Sequence, residues 1–159
     1  MNALTEKVFM QKAIELSAKG MYNNEGGPFG AIVVKDGVIV GKGNNQVTSS
    51  NDPTAHAEIV AIRDACKNLN TFQLDGCEIY TSCEPCPMCL GAIYWARVDK
   101  IYYANTRTDA AQIGFDDAFI YDEFKLDLDK RKIAIIQLNR EEALEIFNQW
   151  ASKKDKIIY

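Results

Sequence analysis

Apolar residues in the first twenty positions recur with a helical rhythm. Phe9, Ala13 and Leu16 share one face, which predicts a helix capped by Thr5, running to about Lys19 and stopped by Gly20. The rhythm then changes. Gly26-Gly27-Pro28-Phe29 reads as a loop, Ala31-Ile32-Val33-Val34 as a β-strand, and Asp36-Gly37 as a hairpin turn into Val38-Ile39-Val40, so the first two strands are antiparallel. A polar loop from Asn44 to Asn51 leads to Asp52-Pro53-Thr54, a helix start for Ala55 to about Leu69. Glu78 to Tyr80 is strand-like, Pro87 suits the first turn of a helix reaching about Ala96, and Lys100 to Ala104 is again a strand. Ile133 to Leu138 reads as a fifth strand after a solvated charged connection, Asp122 to Lys132. Asn139 with Glu142 then gives a capping-box-like start to a last helix carrying Leu144, Phe147 and Trp150. Strands alternating with helices predict the α/β class, a three-layer α/β/α fold around a mixed five-stranded sheet.

Composition narrows this picture. A chain of 159 residues fits a single domain spanning 1–159, and with 47 % hydrophobic and 25 % charged residues it can offset its chain entropy and fold. Phe147 and Trp150 would be costly if exposed on a short helix. The C-terminal helix and tail, about 139–159, are therefore expected to pack on the domain or on a partner subunit. A net charge of −4 offers phosphate backbones no general attraction and weighs against a nucleic-acid partner. The apolar runs are far shorter than the ~20 residues that span a bilayer, and the first residues lack a signal core. The expectation is a soluble cytoplasmic protein with no membrane partner. Five cysteines in such a setting point to metal binding or catalysis before a disulfide framework.

The chemistry concentrates in two short segments, His56-Ala57-Glu58 and Pro85-Cys86-Pro87-Met88-Cys89, each at an expected helix N-terminus. One imidazole and two thiolates are the three protein ligands of a catalytic Zn²⁺, whose fourth position goes to water. Helix N-termini favour thiolate because their amide donors and positive dipole end face it. Glu58 is not needed as a ligand, and a carboxylate beside a metal-activated water is suited to carry protons to a leaving nitrogen. Bland alternatives accompany each motif. The only histidine could be an ordinary core residue, Cys-x-x-Cys a redox pair, and Cys83 a fourth ligand that closes a structural zinc in a module without catalysis. Cys66 and Cys77 are most simply small buried apolar residues.

His-x-Glu followed by Pro-Cys-x-x-Cys is the signature of the zinc nucleobase deaminases. The segments Gly27-Pro28-Phe29-Gly30-Ala31, Asn44-Asn45, Asn51 to Glu58, Thr81 to Cys89 and Gly114 to Asp117 together resemble the cytidine deaminase-like superfamily, and within it the bacterial guanine deaminases. The resemblance implies one Zn²⁺ per subunit on His56, Cys86 and Cys89, with Glu58 as proton shuttle. It implies a small purine base as substrate, contacted by Phe29, Asn45, Ala57, Trp95, Phe115, Asp117 and Tyr159. Hydrolysis of guanine to xanthine and ammonia would follow, with tRNA adenosine or another heterocycle deamination as the alternative. A homodimer, with C-terminal segments exchanged or not, is also implied. From the residues alone, Asn45 equally suits a turn, Asp116 and Asp117 a solvated cap, Trp95 the core and Tyr159 a frayed end.

Overall fold

The computed structural model describes residues 3–158. Helix α1 (Ala3–Tyr22) buries Phe9, Ala13, Ser17 and Gly20, a stripe at four- and three-residue spacing that faces the sheet. Thr5 lies inside this helix, and Gly20 does not stop it. A Cβ at Gly20 would come within 2.4 Å of the Asn44 side chain, so glycine here permits close approach to the second strand.

Strand β1 (Gly30–Lys35) turns through Asp36-Gly37 into β2 (Val38–Asn44). Both turn residues have positive φ, 50° and 78°, as a two-residue hairpin turn requires. After the short helix α2 (Val47–Ser50), helix α3 (Ala57–Leu69) starts two residues later than the sequence predicts. The Asp52 carboxylate accepts from the amide and hydroxyl of Thr54 at 2.8 and 2.7 Å, so it closes its own turn instead of capping α3. Strand β3 (Cys77–Cys83), helix α4 (Pro87–Trp95) and strand β4 (Lys100–Asn105) follow. Helix α5 (Arg107–Gln112), not expected from its apolar pattern, is set by a capping box between Thr106 and Asp109.

The sheet runs β2-β1-β3-β4, with β1 antiparallel to both neighbours and β3 parallel to β4. It is mixed, as expected, but has four strands where five were predicted. Alternate residues of the central strand feed two cores. Ile32 and Val34 join Phe9, Ala13 and Tyr80 on the α1 side, and Ala31 and Val33 join Ala57, Ala61, Ala65, Ile79 and Ile93 on the α3 and α4 side. That is the three-layer α/β/α arrangement.

The chain divides into two compact units, one up to Asp117 and one from Ala118. The second contains α6 (Ala118–Lys125), a 3-10 turn (Leu128–Lys130) and α7 (Arg140–Ser152). Asp122 to Lys125 is therefore helical and not part of a connection. The expected strand at Ile133 to Leu138 does not form: apolar residues give the propensity, but no strand edge pairs with them among the described residues. The expected capping box at Asn139 is also absent, because that residue sits at φ 50° without a side-chain cap bond.

Candidate active site

Two helix starts supply the reactive cluster. His56 and Cys86 are the N-cap residues of α3 and α4, both extended (φ −69°, ψ 157° and φ −64°, ψ 167°), and neither side chain caps its own helix. Pro87 opens α4 without loss, since the first-turn amide has no intrahelical partner. Cys89 lies one turn in and faces the same point. His56 Nδ1 is 3.5 Å from each sulfur, and the three donor atoms all lie within 4.8 Å of one another. A tetrahedral zinc with Zn–N and Zn–S bonds of about 2.0 and 2.3 Å needs N···S edges of about 3.5 Å, so the set fits that ion.

The two thiols divide one charge. Cys86 is pulled down to about 4, first by the hydrogen bond from Cys89 and also by His56, against the cost of burial. Cys89 is pushed up by donating that bond and by burial, and His56 is raised mainly by its bond to Cys86. Anionic and neutral donors already converge, which is what a cation needs. Cys83 faces elsewhere. Its thiol donates to the Thr106 carbonyl at 3.6 Å and burial pushes it up to about 11, so it is not a fourth ligand in the cluster.

Glu58 is the second residue of α3 and only 6 % exposed. Its Oε1 accepts a hydrogen bond from Thr81 Oγ1 at 2.9 Å. Burial raises its proton affinity, partly offset by bonds from its own amide, Thr81 and Cys89. The result is a carboxyl able to take and release protons beside the three donors.

The remaining expected residues differ in how they are placed. Asn45 is buried, and its Oδ1 accepts from the amides of Gly27 and Val47 at 3.3 and 3.2 Å. Both bonds occupy the oxygen, so Nδ2 is the end left to donate. Phe29 and Phe115 meet edge to face at 4.9 Å, over Gly27, where a Cβ would lie 2.8 Å from the Phe115 ring. Asp117 is half-buried. Desolvation and the negative charge of Cys86 raise its carboxyl, which ties it electrostatically to the cluster. Ala57 packs its methyl into the core, so only its first-turn main chain can serve a ligand. Trp95 ends α4 and is 67 % exposed, which excludes the core alternative. Tyr159 lies outside the described residues.

Two supporting residues escaped the sequence reading. Thr81 interrupts the apolar face of β3 with a hydroxyl, a signal that alternation could have exposed. Glu25 accepts from Asn44 Nδ2 at 2.7 Å while its carbonyl accepts from Ser49 N and Thr48 Oγ1, pinning the loop that carries Gly26 and Gly27. No local pattern marks it.

Residues 4–105 match the family of the cytidine and deoxycytidylate deaminase zinc-binding region. The chain belongs to this family. It is thus a zinc-dependent hydrolytic enzyme of the deaminase class, and a non-catalytic zinc module is set aside. It is 52 % identical over 155 residues to the guanine deaminase of Bacillus subtilis, covering 96 % of this chain and 99 % of that protein. A solved structure of guanine deaminase from Bacillus subtilis superposes with a TM-score of 0.94 at 52 % identity, covering 100 % of this chain and 99 % of the other. A tRNA-specific adenosine deaminase of Aquifex aeolicus is 43 % identical over 98 residues, 62 % of this chain and 65 % of that protein. Among the described residues no helix is long and apolar enough to cross a membrane.

Proposed function

We propose that this deaminase hydrolyses guanine to xanthine and ammonia, with His56, Cys86 and Cys89 holding the zinc and Glu58 carrying the protons. The observation that carries the reading is a buried carboxyl hydrogen-bonded beside a three-donor His/Cys/Cys set. Zinc bound there supplies Lewis acidity, lowering the pKa of a coordinated water to about 7. As water adds to C2 of guanine, Glu58 takes up its proton and delivers one to ring N3. It then passes a second proton to the amino nitrogen, so the C–N bond breaks with ammonia as leaving group.

Substrate selection rests on complementary edges. Asn45 Nδ2, a donor because Oδ1 is already occupied, suits the O6 and N7 acceptors of guanine, whereas Asp117 accepts from its N–H groups. Phe29, Phe115 and the exposed Trp95 give a flat base apolar walls, and the Ala57 main chain lies between the zinc ligand and Glu58. Ammonia release should be fast with guanine and at least about 100-fold slower with adenine, cytosine and the nucleosides, because each lacks the matching edge or adds a sugar. Faster turnover of adenosine in a tRNA stem-loop would overturn the assignment. Asn45→Asp, which puts an acceptor where a donor is needed, should raise KM for guanine and leave zinc content unchanged.

The active enzyme in this reading is a cytoplasmic homodimer. Five free thiols suit a reducing compartment. Among the described residues from Ala118 onward none is buried, and Phe119, Ile136, Leu138 and Phe147 are exposed, a surface that a second copy would cover. Light scattering showing only monomer at micromolar concentration would remove the dimer.

A further inference from the structure

Strand β3 is held on both sides, Thr81 being paired with Ala31 of β1 and Tyr103 of β4, so its side chains have little freedom. Along the face turned to α3 the order is Cys77, Ile79, Thr81, and the first two lie in the apolar cluster with Ala57, Ala61 and Ala65. A valine would continue that pattern. The third residue carries a hydroxyl instead, 1 % exposed, and its bond runs to Glu58 Oε1 at 2.9 Å. The neighbouring Ser82, on the opposite face, uses its oxygen to accept from Gly30 N at 3.0 Å. Each polar position at the end of this buried strand thus has a separate partner, and that of Thr81 is the proton carrier.

We infer that Thr81 is a positioning residue: its hydroxyl, bonded to Oε1, holds the Glu58 carboxyl in the rotamer that serves proton transfer to the substrate. The fixed bond selects one rotamer of a side chain with three rotatable bonds, and misplacing a reacting group by about 1 Å costs on the order of 100-fold in rate. The inference rests on the proposed role of Glu58 and adds to it the residue that holds its side chain in place.

Thr81→Val keeps shape and volume, and Thr81→Ser keeps only the hydroxyl. In the zinc-loaded enzyme the valine variant should lose about 10- to 100-fold in kcat with KM within about twofold, and serine should restore most of that loss. Zinc content should stay at one ion per chain in both. A crystal structure of the valine variant should show the Glu58 carboxyl turned away from its wild-type rotamer or split between two. Wild-type kcat in Thr81→Val, an unchanged Glu58 rotamer, or equal losses in the serine and valine variants would each overturn the inference. Glu58→Gln is the control: if it retains full turnover, the assignment of Glu58 itself fails, whereas an inactive Glu58→Gln beside a fully active Thr81→Val sinks only the role of Thr81.

Discussion

The two units of this chain treat the same kinds of residue in opposite ways. In the unit up to Asp117, Ile32, Val33, Val34, Ile79 and Tyr80 are fully buried, and even polar Thr81, Ser82 and Glu58 are enclosed with their partners. In the unit from Ala118, Ile133, Ile136, Leu138 and Phe147 are each more than 70 % exposed, and none of the described residues is buried. The first is a finished core that can hold reactive groups at fixed distances. The second consists of amphipathic helices whose large apolar side chains are exposed, the kind of face on which charge substitutions cost little folding energy of their own unit.

That contrast can be broken or sharpened by substitution on each side. Glu58→Gln, in the first unit, should lower kcat by on the order of 1,000-fold while zinc stays bound, read by steady-state kinetics and metal analysis. Charges in the second unit should act on assembly instead. Phe147→Asp with Trp150→Asp should weaken self-association by at least about 30-fold in light scattering and leave zinc stoichiometry intact. If that variant loses zinc, the division of labour between the units is wrong.

Smaller effects test the packing of the first unit. Gly27→Ala forces a methyl against the Phe115 ring and should raise KM about tenfold with little change in zinc affinity. In chelated protein, Cys86 should be alkylated about tenfold faster than Cys83 at neutral pH. The sign follows from the shifts: the Cys86 thiol, lowered to about 4, is anionic at pH 7 and loses reactivity only as pH falls through that value, whereas Cys83, raised to about 11, stays protonated. Mass spectrometry that finds Cys83 labelled first would contradict the proposed geometry. The least effect is expected at Gly37, where φ is +78° and nothing lies within 4 Å of an added methyl. Alanine there should cost about 1 kcal/mol in denaturant unfolding and nothing in turnover.

The legible parts were those fixed by near neighbours in the chain. The Asp36-Gly37 turn, the central strands and α4 behind Pro87 each depend on a few adjacent residues, and the structure agrees with them. Errors appear where a residue found a different partner. Asp52 bonded Thr54 and surrendered the cap of α3 to His56, Gly20 served packing in place of termination, and Asn139 took a left-handed conformation with no cap. The fifth strand failed for a related reason. A run such as Ile133 to Leu138 states its preference for extended backbone, but a strand exists only where an edge accepts it.

By itself the sequence determined the donor set and its chemistry, because one imidazole, two thiols and a carboxyl at those spacings leave few other uses for the same atoms. It could not decide where the Cys83 thiol would turn, which end of the Asn45 amide would face outward, or that Thr81 would reach Glu58 from a strand 23 residues away. Those choices depend on atoms brought together across the sheet. Hydrogen bonds and burial act over a few ångströms of space, and only the folded backbone converts distance along the chain into that proximity.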